Sequence, residues 1–383
     1  MKLEMDEDLL DSSILEQQCY VIIIILLLHI YNSSRNRMSL NRSALLPANR
    51  SSWIQILHGA DEQSFFVLMG MSRSTFLKIE KIIFPENPKP QSRGGKFVLN
   101  NKGKLGMTLF YLGSRMELKH LAITFGVCPS TCSIYIYNTL RRICFNMRNH
   151  VDAKVKFPDE EEKRLFAALV ANREPLASNI IGFVDGLSIP VKCSDDEKEQ
   201  RRYYNGYYCD TRINNVFAFA PNGNIIFASI NFPGSWHDSQ VVHDLAQVVI
   251  SRLGDYALCV DQGFPRSGAL YDKFVGPLSI ETRQKIQPFL LHSLIRQHNV
   301  YVSLRQSSEW GMKGLQGTFG RLKARLTSNI KRRRNIMESI VLLHNFRVNH
   351  DGLNQIATVF NPEYEQYINI EKYDRIARYF HPI

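Results

Sequence analysis

The chain has 383 residues, 44% hydrophobic and 22% charged, which excludes wholesale disorder and leaves room for two or three folded units. A net charge of +11 points to a polyanionic partner. Cysteines 19, 128, 132, 144, 193, 209 and 259 form no C-x-x-C pair, which argues against a zinc knuckle or a disulfide framework and suits a reducing compartment.

The first sixteen residues are acidic, with Glu4, Asp6, Glu7, Asp8, Asp11 and Glu16 against Lys2. Next comes Cys19 to Tyr31, whose unbroken aliphatic run covers only Val21 to Leu28. A spanning helix needs roughly 20 apolar residues, and no basic segment precedes this one as it would in a secretory signal. A buried N-terminal helix is the expectation, with an interfacial anchor as the alternative and no membrane partner. Residues 33–51 are polar and basic and read as a linker, so 1–51 forms an N-terminal helix plus linker.

Residues 52–150 read as an all-α region. A helix is predicted over 72–83, with Phe76, Ile79 and Ile82 or Ile83 at helical spacing behind cap-type residues. A breaker stretch (85–95) follows, then a helix through Leu105, Met107, Leu109 and Leu112. Residues 118–143 have helix-turn-helix grammar. Ala122 is the small contact residue, Gly126 the left-handed turn, Val127 the plug, and Pro129 the start of a second helix. Ser130 and Thr131, at that helix's N-terminus, are candidate DNA contacts, supported by Arg141 and Arg142; a plain helical hairpin is the alternative.

After a connector (151–177), strand rhythm begins near Ser178. Residues 179–193 form a strand candidate with an acid at its middle. Residues 214–232 hold two β-rich runs around a Pro221–Asn224 turn. Residues 238–253 read as a helix capped by Asp238 or Ser239, and 256–265 as a short strand ending in an acid. Helices follow over 281–296, 307–326 and 335–350, and 351–383 is a tail. The expected fold class is α/β: a mixed sheet flanked by helices over 178–350, behind the all-α region.

Three acids carry the chemistry. Asp185 lies within an apolar strand, where a carboxylate needs a partner or a metal. Asp261 ends Ala257–Val260 and precedes a turn. Glu309 is expected at the start of a helix, with Lys313 and Gln316 further along the same face and Lys323 beyond. Alone, each acid has a structural explanation: a strand-end cap, an Asx turn, and first-turn helix charge. Together they repel, and a divalent cation relieves the repulsion. Hard carboxylate oxygens suit Mg²⁺, with Mn²⁺ substituting, and two such ions serve in-line phosphoryl transfer. Lys313, Arg321 and Lys323 are the candidate backbone contacts.

Val184-Asp-Gly186, PGSWHDS (233–239), VDQGFP (260–265) and SSEWGMKGLQGTFGRLKARL (307–326) resemble the ordered motifs of PIF/Harbinger transposases of the DDE superfamily. RRYYNGYY (201–208) and 343–356 also resemble family segments, so the likeness runs from about Trp53 to the end. The resemblance implies an RNase H-like fold and Asp185, Asp261 and Glu309 as catalytic metal ligands, with Asp238 close to the metals or simply capping its helix. Arg305 and Glu309 keep the family's Arg-x-x-x-Glu spacing. Phe264 stands where Tyr is commoner, and Trp310-Gly311-Met312 departs from the usual text. The implied activity is hydrolysis of DNA and joining of 3′-hydroxyl ends to target DNA, in the nucleus, by a multimer aided by a Myb/SANT-like DNA-binding protein. The alternative is a domesticated, catalytically silent DNA- or chromatin-binding protein. The run Lys331–Arg334 reads as an import signal, a phosphate clamp or a solvated helix start.

Overall fold

The computed structural model describes residues 18–31, 40, 42–85, 99–236, 238–285, 287–352 and 354–360. Most of the predicted breaker after Pro85, and the tail from residue 361, lie outside them. Helix α1 covers 18–31, and its apolar side chains from Tyr20 to Tyr31 are exposed. The buried helix expected here therefore does not form. A segment apolar on every side has no polar face to turn outward while one stripe docks on a core. No helix among the described residues is long and apolar enough to cross a membrane.

The helical region comprises α2 (Ser52–Gly59), α3 (Glu62–Met69), α4 (Arg73–Ile83), α5 (Asn101–Gly113), α6 (Leu118–Phe125) and α7 (Pro129–Met147). Side chains of Asp61, Ser72 and Asn100 cap α3, α4 and α5 by accepting from backbone N–H groups three residues on. Phe76, Ile79 and Ile83 are buried as their spacing predicts. The grammar of 118–143 holds as well: Ala122 and Val127 are buried, Gly126 adopts φ +67°, and Pro129 opens α7. A β-carbon on Gly126 would lie 2.3 Å from the Leu46 carbonyl oxygen. The end of the expected linker thus packs on the helix-turn-helix, where Ser51 is also buried.

Helix α8 (Glu160–Arg173) starts with a capping box between Asp159 and Glu162 and leads into the sheet. The strands are β1 (Ile180–Pro190), β2 (Tyr204–Asn205, after α9, Glu197–Tyr203), β3 (Asp210–Phe219), β4 (Ile225–Pro233), β5 (Ala257–Cys259) and β6 (Phe274–Val275). The β3–β4 hairpin turns at the predicted Pro221–Asn224, with Gly223 at φ +82°. The main order is β4–β3–β1–β5–β6, with β2 on the start of β3. The first three strands pair antiparallel, and β1, β5 and β6 pair parallel. This is the mixed, RNase H-like sheet expected from the sequence.

Alternation along β3 sends Phe217 and Phe219 into one core and Val216 and Ala218 into the other. The second core is closed by α8 and α11 (His243–Arg252). The first is closed by α13 (Pro288–Thr318) and α14 (Ile330–Asp351), and it runs on without a break into the helical region at Trp53.

Three predicted helices differ in extent. Residues 238–253 divide into α10 (Asp238–Val241) and α11. The stretch predicted over 281–296 divides between α12 (Ile280–Lys285) and α13, and α13 continues through Glu309. The predicted helix over 307–326 ends at Thr318 and is followed by a 3₁₀ turn over Gly320–Lys323. A final helix, α15 (Gln355–Phe360), packs against α13 and α8.

Candidate active site

Asp185 sits in β1 opposite Phe217 of β3, and β5 lies on the other side of β1 with Cys259 opposite Phe183. Asp261 follows two residues after β5 ends, as Asp185 follows two residues after the Phe183–Cys259 pair, which brings the two aspartates level on neighbouring parallel segments. After Asp261 the chain turns back through a Phe264 N–H to Asp261 carbonyl bond of 3.2 Å, and Phe264 is buried in the second core.

Glu309 arrives on α13, which crosses the sheet. Its approach is set by Gly311: a β-carbon there would stand 2.9 Å from the Phe219 ring. The small neighbours Ser307 and Ser308 are buried, and Met312 is buried in the core. The departure Trp310-Gly311-Met312 thus has a packing reason, because glycine lets the helix settle onto β3. Glu309 lies well inside α13 rather than at its beginning, so the expected help from the positive helix end does not apply.

A side chain supplies the positive charge instead. Arg305, one turn earlier, donates Nη2 to Glu309 Oε1 at 2.6 Å, and its Nη1 is 3.8 Å from Asp261 Oδ1. The Asp185 carboxyl is pushed up to about 6, first by burial and then by the charges of Asp261 and Glu309. The Gly186 N–H, donating to Asp185 Oδ1 at 2.8 Å, and Arg305 oppose that rise. Three acids and one arginine therefore form a single electrostatic cluster. Among the described residues no three Asp, Glu, His or Cys side chains stand close enough to hold one ion. The expected convergence of all three acids to metal-bridging distance is not seen. Arg305 stands within 4 Å of both Glu309 and Asp261.

The other candidates separate into groups. Lys313 is exposed on α13, one turn past Glu309. Lys323 is exposed but lies in the 3₁₀ turn beyond that helix. Arg321 is buried: Nε donates to the Tyr111 carbonyl at 2.9 Å and Nη2 to the Met116 carbonyl at 2.6 Å. It ties the 3₁₀ turn to the helical region, which takes it off the surface expected to meet DNA. Ser130 is exposed and Thr131 half-buried at the start of α7, and both hydroxyls lie within 3.3 Å of the Cys128 thiol. Asp238 begins α10, but its side chain, like all of His237, lies outside the described residues. In the run Lys331–Arg334, Arg333 is buried and donates to Asn231 Oδ1 at 2.5 Å; the other three are exposed. The Arg305 role was readable only as an i, i+4 Arg–Glu pair, a common surface pattern.

Residues 184–345 match the family model described as DDE superfamily endonuclease. The matched segment starts at the residue before Asp185 and ends within α14, so it contains all three acids, Arg305 and the whole sheet from Val184 onward. It supports a transposase-like DDE endonuclease domain, and the mixed sheet is consistent with that nuclease fold. Helices α2 to α8 lie outside it. No curated protein matches the chain, and no solved structure matches it.

Proposed function

We propose that the chain is a metal-dependent DNA endonuclease of the PIF/Harbinger transposase type, with Asp185, Asp261 and Glu309 as its catalytic acids. The observation that carries this reading is the cluster itself: Asp185 within β1, Asp261 level with it just past the adjacent parallel strand, and a glutamate on the crossing helix, inside a DDE endonuclease segment. The donor chemistry fits Mg²⁺ or Mn²⁺, because the oxygen ligands are hard and the half-buried Asp185 carboxylate is disfavoured by desolvation and by the charges of its two acidic neighbours. Asp185 and Asp261 would hold the metal, joined by Glu309 once Arg305 releases it. When bound, such ions activate water and stabilise the leaving oxygen in phosphoryl transfer. The protein's part is to fix the carboxylates on the sheet and α13 and to offer Lys313 to the DNA backbone.

The activity would comprise hydrolysis of DNA phosphodiesters and joining of freed 3′-hydroxyl ends to target DNA. A Myb/SANT-like partner for end recognition, a multimeric working form and a nuclear location, served by exposed Lys331, Arg332 and Arg334, belong to the same proposal. One observation favours a second reading, a catalytically silent DNA-binding protein: the Arg305–Glu309 pair already neutralises one acid from within.

Nicking of supercoiled DNA by the purified chain in Mg²⁺ or Mn²⁺ separates the two. The proposal expects cleavage that Asp185→Ala, Asp261→Ala and Glu309→Ala each abolish. Cleavage persisting in the aspartate variants would refute the triad, and DNA binding without cleavage in either metal would favour the silent protein.

A further inference from the structure

A cleft of about 730 Å³ opens between the helical region and the endonuclease segment. Its helical wall comes from the end of α5, the start of α6 and α7; its other wall comes from Lys192 just past β1, the turn after α13, and the start of α14. The floor is apolar, with Leu140 and Ile336 buried, while the rim is cationic.

The cations divide by what they already hold. Arg321 is bound to two backbone carbonyls. Arg325 grips Asp210 through both terminal nitrogens, at 2.7 and 3.1 Å. Lys119 pairs with Glu117 at 2.8 Å, and Glu117 is the one carboxylate among the lining residues. Arg115, Lys192 and Arg332 are exposed and, among the described residues, form no ion pair. Arg332 lies 5.1 Å from the centre of the Tyr137 ring, which also meets Arg141 at 5.9 Å. Three charges without an ion pair among the described residues are thus carried on separate elements around one opening, although Lys192 also acts on Glu117 from a distance. Fold stability does not call for such an arrangement, since like charges repel.

The cleft also has a fixed relation to the acids. The chain from Asp185 through Val191 is extended and continuously paired with β3. At about 3.3 Å per residue, Lys192 lies roughly 23 Å further along the sheet than Asp185. That distance is roughly seven base pairs of duplex.

We propose that this cleft is a second DNA contact, in which Arg115, Lys192 and Arg332 hold the phosphate backbone of the duplex whose phosphodiester reaches the acids. The proposal rests on the DNA-cutting reading above. It assigns the joint between the helical region and the sheet a substrate-holding role, on residues other than Lys313, Lys323, Ser130 and Thr131. Phosphate contacts of this kind fix the position of the duplex and carry no sequence information. They also make affinity depend steeply on salt, because each neutralised phosphate releases counterions.

The test is equilibrium binding of a fluorescein-labelled duplex followed by anisotropy across a salt series. It uses full-length protein in an Asp185→Asn background without metal, so that cutting plays no part. Replacing Arg115, Lys192 and Arg332 together by Gln should weaken binding and reduce the slope of log affinity against log salt by about 3. Each single replacement should reduce it by about 1, and the singles carry the test should the triple variant unfold. A control triple of Lys81→Gln, Arg164→Gln and Arg252→Gln, exposed residues that do not line the cleft, makes the same change in net charge and should leave the slope unchanged. Equal losses in both triples would reduce the effect to overall charge and overturn the proposal. No loss in the cleft variants would overturn it while leaving the nuclease reading intact. No binding by the Asp185→Asn parent would overturn both.

Discussion

Arg305 and Glu309 meet across a single turn of α13 at 2.6 Å, with Asp261 3.8 Å from the same guanidinium. The cluster therefore holds its own cation, and any metal must compete with it. The pair is about one-third exposed on each side, so its contribution to stability is below about 1 kcal/mol. Arg305→Gln should leave the melting temperature nearly unchanged while tightening Mn²⁺ binding several-fold by titration calorimetry. An unchanged Mn²⁺ affinity would show that Arg305 does not compete.

Asp185 gives a pH-dependent prediction. Its folded-state carboxyl is raised from 3.8 to about 6, so the folded chain holds a proton that the unfolded chain has released. Stability falls as pH rises from about 4 to about 6, and the full penalty persists above that range. Asp185→Asn should therefore stabilise the metal-free protein near neutral pH by up to about 3 kcal/mol, and have little effect below about pH 4. Urea denaturation at both pH values checks the sign. A destabilised Asn variant at neutral pH would contradict it.

Gly311 sets the height of α13 over the sheet. Gly311→Ala gains about 1 kcal/mol in helix propensity but forces a methyl group to 2.9 Å from the Phe219 ring, an overpacking cost of about 1–3 kcal/mol. The net effect on the denaturation midpoint should be small, on the order of 1 kcal/mol. Cleavage should fall much further, because Glu309 moves with the helix. Full activity in this variant would mean that the height of α13 does not position Glu309.

Adjacent arginines in the basic run should behave oppositely. Arg333 is buried, donates to Asn231 and to the carbonyls of Thr327 and Ser328, and lies over the Tyr203 ring. Arg333→Met should cost about 2–4 kcal/mol, whereas Arg332→Met should cost less than about 0.5 kcal/mol. Chemical denaturation of both variants measures the contrast, and equal costs would contradict the assignment.

Local chemistry made much of this legible in advance. Ser72, Gly126, Pro129 and the Pro221–Asn224 turn work through their immediate neighbours, and each performs its expected role. Asp185 stood out because a carboxylate in an apolar strand has few explanations. What escaped depends on contacts between distant parts of the chain. The continuity of α13 through Glu309 could not be read from a segment with three glycines and no clear amphipathic face. The burial of Arg321 and Arg333 depends on carbonyls and an asparagine supplied by remote segments, and a sequence shows only that both are basic.

The parallel pairing of β1 with β5 has a consequence for how the chain comes to act. Parallel neighbours cannot be joined by a tight turn, and here β2, the β3–β4 hairpin and three helices intervene. The acids are therefore drawn from segments far apart in the chain, and contacts of such long sequence separation close late in folding. A nascent or partly folded chain carries Asp185 on an unfinished sheet with neither Asp261 nor Glu309 beside it. If the chain cuts DNA as proposed, that ability would arise only when the sheet is complete and α13 has docked.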